Sequence, residues 1–121
     1  MNDFPKRTTL RSKRNLKRKI RRVVRIINKQ LRADVFGDRF SLVIVGSNIV
    51  PYDDNSGWDA HFLIEFRDAK CPERNYIEWF DPYDIIYSGL FVGGRHMDAV
   101  LNDFIIRSDF WTTLKPEDVA N

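Results

Sequence analysis

The sequence predicts an α+β domain with the element order α-β-β-β-α, and three stretches carry that prediction. Residues 12–33 repeat apolar side chains at helical spacing. "WDAHFLIEFRD" (58–68) alternates apolar and polar residues as a half-buried strand does. Beyond Gly93-Gly94 the helical spacing returns. A chain of this order buries its apolar faces by packing helices on one side of an antiparallel sheet.

Residues 1–11 read as a flexible lead-in, with Ser12 or a preceding threonine as the helix N-cap. The first helix carries Leu16, Ile20, Val23, Val24, Ile27 and Leu31, which fall inside an arc of about 100° at helical pitch. It ends between Ala33 and Gly37, where glycine is the usual terminator. "RFSLVIVG" (39–46) reads as a buried strand, and "SNIVPYDDNSG" (47–57) as a loop marked by Pro51 and its turn-forming residues. In the next strand Trp58, Ala60, Phe62, Ile64 and Phe66 share the core face. Asp59, His61, Leu63, Glu65 and Arg67 share the other face. "AKCPER" turns the chain and "NYIEWFD" returns as the third strand of a hairpin. "PYDIIYSGLFV" (82–92) fits a short helix and a fourth strand equally well. Met97, Val100, Leu101, Phe104 and Ile105 define the second amphipathic helix, and the chain after Pro116 reads as a loose tail. The expectation is one domain over residues 12–115, with Trp58, Trp79 and Trp111 in its core and residues 116–121 outside it.

The formal net charge of +3 conceals a division. Residues 1–32 hold thirteen lysines and arginines against the single acid Asp3, while residues 33–121 hold seven against sixteen acids. Such a chain presents two electrostatic surfaces of opposite sign. The run "RSKRNLKRKIRRVVRIINKQLR" (11–32) alone has eleven cations and no acid. With Leu16 set at 0°, Arg11, Arg14, Arg18, Arg21, Arg22, Arg25, Lys29 and Arg32 lie at roughly 140–240°, opposite the apolar stripe. Like charges at i, i+4, such as Arg14/Arg18 and Arg21/Arg25, cost about 0.2–0.5 kcal/mol each in an isolated helix. Solubility would be served better by mixed signs, so the band implies an anionic partner.

Three partners can supply the anions. Nucleic acid, free or in a ribonucleoprotein, comes first, because arginine forks match phosphate geometry and counterion release rewards many contacts. An acidic protein surface, including a second copy of this chain, is the next. A membrane surface is discounted because the stripe has no Trp or Phe and is needed by the core. No run of about 18 apolar residues is present for a membrane span, and the start "MNDFPKRTTL" is not a secretory signal, so a cytoplasmic location is expected.

The best enzymatic pattern is "PYDD" (51–54) followed by "DAK" (68–70), which superficially resembles the acidic set and lysine of metal-dependent nucleases. Lys70 precedes Cys71-Pro72 in an apparent turn, so turn chemistry accounts for Asp68-Ala69-Lys70 better. His61 and His96 are distant in sequence, and one cysteine, Cys71, forms neither a disulfide nor a zinc cage. Cys71 reads as an exposed thiol in a polar turn and not as a nucleophile. "GLFVGGR" lacks phosphate-loop spacing. No catalytic residue, metal ligand or cofactor site is assigned, and the expectation is a non-enzymatic binding protein.

The stretches "LKRKIRRVVRIINKQLRADVFGDRF" and "NDFIIRSDFW", about a third of the chain, resemble small phage and prophage proteins of Gram-positive bacteria. The resemblance implies a mobile-element accessory protein, a class that includes inhibitors of host defence such as anti-CRISPR proteins. It assigns no residue a role. It does suggest an alternative, in which the acidic body docks on a host nuclease and the basic helix assists.

Overall fold

The computed structural model describes residues 10–54, 56–86 and 96–113. Helix α1 (Leu10–Ala33) leads into strand β1 (Phe40–Pro51), which pairs with β2 (Trp58–Asp68). A 3-10 turn at Pro72–Arg74 leads to β3 (Tyr76–Phe80), followed by helices α2 (Pro82–Ile86) and α3 (His96–Thr113). The three strands form an antiparallel sheet in the order β1-β2-β3, and the α-β-β-β-α reading holds with α2 added. Ser12 is inside α1, two residues past its start, so it is not the N-cap. The threonine alternative at Thr8 or Thr9 lies outside the described residues, as do residues 87–95 with Gly93-Gly94 and the tail after Pro116.

One apolar core joins all three helices to one face of the sheet. α1 contributes Leu16, Ile20, Val24 and Ile27, and α3 contributes Met97, Leu101 and Phe104. β2 contributes every second residue, Ala60, Phe62, Ile64 and Phe66. Phe62, Phe66 and Phe80 are each 1% exposed or less and stabilise the fold by about 1.5–3 kcal/mol apiece. Phe66 stands at the centre, with Tyr76, Phe80 and Phe104 rings all within 6 Å of its own.

Two features depart from expectation. β1 does not stop at Gly46. It continues through Pro51, so Ser47–Pro51 is strand and not loop, paired with Trp58–Phe62. The register shifts between Ile44 and Gly46, leaving Val45 as the extra residue of a bulge. Before the bulge the even residues Leu42 and Ile44 match the core residues Phe66 and Ile64 of β2, and after it the odd residues Ser47 and Ile49 match Phe62 and Ala60. A period-2 pattern that switches parity does not read as one strand. Residues 82–86 are helix, because Asp81-Pro82 opens a helix well: proline suits the first position, and the Asp81 carboxylate accepts the Asp84 N–H at 2.9 Å.

Candidate nucleic-acid interface

The apolar stripe of α1 decides which side faces out. Leu16, Ile20, Val24 and Ile27 are buried, and Val23 and Leu31 pack partly against the same core. Arg14, Arg18, Arg21, Arg22, Arg25, Lys29 and Arg32 are all exposed on the opposite side. Among the described residues, none of these seven forms an ion pair. Arg11 lies in the helical backbone, and its side chain falls outside the described residues. From Arg14 to Arg32 the band runs about 27 Å at 1.5 Å per residue. Lys17 and Arg21 reach back to β1, where they line a small crevice with Ile44, Ser47 and Phe62.

Asn28, on α1 between the stripe and the band, has a role the sequence did not signal. Its side-chain amide donates to the Leu42 carbonyl at 2.9 Å and accepts the Leu42 N–H at 2.7 Å. β1 is an edge strand, and these bonds replace a strand partner at that point. The helix is thereby held along the sheet edge, and the cationic side is fixed outward.

The cation that the structure turns inward is Arg39. Its Nε and Nη2 donate to the two oxygens of Asp68 at 2.9 and 3.0 Å. Nη1 reaches Asp109 at 3.2 Å, and Nη2 also meets the Ser108 carbonyl and Thr112 Oγ1. The clasp ties the start of β1 to the end of β2 and to the last turns of α3. Burial pushes the Asp68 carboxyl up, but Arg39 and the amides of Lys70 and Cys71 outweigh it and hold the group below its ordinary value. A fork-on-fork pair with further acceptors is what arginine, and not lysine, can build.

The residues of the nuclease-like pattern lie far apart. Asp53 and Asp54 sit at the β1–β2 turn, and Asp68 closes the far end of the eleven-residue β2, about 33 Å away at strand rise. Asp68 is engaged by Arg39 and by the turn amides of Lys70 and Cys71. No group of three or more potential ligands that could hold a metal occurs among the described residues. His61 is exposed, with Nδ1 3.6 Å from Asp59, while the His96 side chain falls outside the described residues.

Two further expectations need correction. Cys71 is buried, because the turn folds it beneath the hairpin, and its thiol donates to Glu73. That hydrogen bond and burial push the thiol up and disfavour the reactive thiolate. The tryptophans do not all pack the core: Trp79 and Trp111 are each 49% exposed. Trp79 alternates onto the sheet face that no described helix covers, and Trp111 lies under the Arg74 guanidinium at 5.6 Å.

No family model, curated protein or solved structure matches this chain. No helix among the described residues is long and apolar enough to cross a membrane.

Proposed function

We propose that this is a non-enzymatic binding protein that lays the arginine face of α1 against the phosphates of a nucleic acid, free or held in a nucleoprotein complex. One observation carries the reading: seven exposed cations on one side of a helix, with no ion pair among the described residues. A band of arginines and lysines contacts phosphates and not base edges, so binding is largely independent of sequence. The helix is anchored by its stripe and by Asn28, so the cations are arrayed before binding and little ordering entropy is lost. In keeping with the phage-like stretches, the setting is the host cytoplasm and the role is that of a mobile-element accessory protein.

Gel-shift titrations against duplex DNA, single-stranded DNA and RNA at two salt concentrations test this. If all seven cations engage, the slope of log K against log salt is about −6 on duplex and about −5 on single strands. Absence of binding at low salt, together with retrieval of a protein partner that survives nuclease treatment, overturns the reading in favour of a protein-directed inhibitor.

A further inference from the structure

The first half of α1 and the second half of β1 leave a gap between them. It is a crevice of about 50 Å³, lined by Lys17, Arg21, Ile44, Ser47 and Phe62. Its position follows from the bulge at Val45. Past the bulge the parity of β1 switches, and Ser47 takes the place opposite Phe62. A small, exposed, polar residue thus stands where an apolar one would seal the strand to the helix. The register adds a backbone donor. In an antiparallel ladder a residue's N–H and C=O point to the same side, and the side alternates along the strand. Leu42 directs both groups off the edge to Asn28, so its partner Phe66 points away from β1, while Glu65 and Leu63 bond to it. Gly46 pairs with Leu63, which turns the N–H of Ser47 off the edge that Asn28 closes at Leu42.

Lys17 and Arg21 stand on successive turns of α1 and converge on this crevice, where their like charges repel each other. Among the described residues no acid lines it, and neither cation forms an ion pair. At roughly 10–15 Å³ for each water, the space holds about four waters, the bulk of one phosphate group and far less than a sugar or a base. We propose that the crevice binds a phosphomonoester, the terminal phosphate of a nucleic-acid strand whose backbone lies along the arginine band. The assignment rests on the phosphate reading of α1. Lys17 and Arg21 supply charge, and the hydroxyl and N–H of Ser47 donate to the remaining oxygens. A phosphate inside a strand carries a sugar on either side and is too bulky for this space. An end phosphate has a single link and enters by its free oxygens. It also carries about −1.5 to −2 charge near neutral pH, which matches the two cations. Arg21 belongs to the band as well, so the crevice opens directly from the surface along which the strand runs.

The test uses the whole chain and one oligonucleotide in three forms, with a 5′-phosphate, with a 3′-phosphate, or with hydroxyls at both ends. Each is titrated by gel shift as a single strand and as a duplex, and the amide resonance of Ser47 is followed in ¹⁵N-labelled protein. A phosphate at one of the two ends tightens binding by roughly tenfold, as charge-assisted hydrogen bonds do, and moves the Ser47 resonance where the hydroxyl form does not. Ser47→Leu, a change at an exposed position that fills the crevice, removes the preference and leaves the affinity of the hydroxyl form unchanged. Equal affinity for all three forms overturns the proposal while the reading of α1 stands. So does a preference that survives Ser47→Leu, because the end phosphate then sits on the band. Inorganic phosphate alone separates the sources. If it moves the Ser47 resonance at concentrations as low as the phosphorylated strand does, the crevice takes free phosphate and the strand-end assignment falls. If no form binds at low salt, the reading of α1 falls and the proposal with it.

Discussion

Arg39 directs its donors into the molecule, onto Asp68, Asp109, Thr112 and the Ser108 carbonyl. Arg18, Arg22 and Arg25 stand exposed on α1 and form no ion pair with any described residue. The same guanidinium is a structural tie in one place and an unused cation in the other. What separates them is supply: the body of the chain brings carboxylates to Arg39 from two other elements, while α1 contains no acid from Leu10 to Ala33. Charge by itself says nothing of role, and partnering does.

The contrast is broken most severely from the Arg39 side. Asp68→Asn removes the two-oxygen partner of a largely buried guanidinium and leaves it only the more exposed Asp109, so a loss of about 3 kcal/mol in urea unfolding is expected. Nucleic-acid binding should then follow only the folded fraction. Acid acts on the same group. Because the folded-state pKa of Asp68 lies below its unfolded value, the contribution is whole above the ordinary carboxylate range and is lost as pH falls through the folded value. The urea midpoint should therefore drop in acid for the native chain, and less steeply for Asp68→Asn.

From the α1 side, replacing Arg18, Arg22 and Arg25 together by glutamine should lower affinity for all nucleic acids alike. The duplex salt slope should flatten by about 3, read from gel shifts at several salt concentrations. A smaller effect is expected where the two regions meet. Asn28→Ala deprives the N–H and C=O of Leu42 of their partner and should cost about 1–3 kcal/mol in thermal or urea unfolding. The smallest effect has the opposite sign. Arg18→Gln relieves the like-charge pairs with Arg14 and Arg22 and should stabilise the chain by about 0.2–0.5 kcal/mol per pair at low salt. A band arginine whose removal destabilises the fold would erase the distinction drawn here.

How far each region was legible follows from the distance over which its information is written. The α1 band and its stripe lie within one helix, so periodicity alone predicts their arcs, and the seven cations whose side chains are described are exposed. The core residues of β2 were legible for the same reason, because alternation is local. The far half of β1 was not, since the bulge at Val45 reverses parity and Pro51 imitates a loop. The Arg39 clasp joins residues 29 and 70 positions apart, and no window of sequence contains both ends. Asn28 lies between Ile27 of the stripe and Lys29 of the band, where its bonds to a strand residue 14 positions away leave no local trace. Trp79 does not follow its hydrophobicity into the core, because its place beside Leu63 in the register turns it to the face that no described helix covers.

Closing one margin of the sheet limits how such molecules can accumulate. Fibrils built by stacking sheets side to side require each subunit to offer two complementary margins, one to accept the last arrival and one to await the next. With Asn28 of α1 taking both backbone groups of Leu42, a strand added along the first half of β1 finds no free partner there, and strand-mediated growth through that margin is hindered. A small, strongly charged protein thus carries an obstacle to open-ended growth in its own first helix.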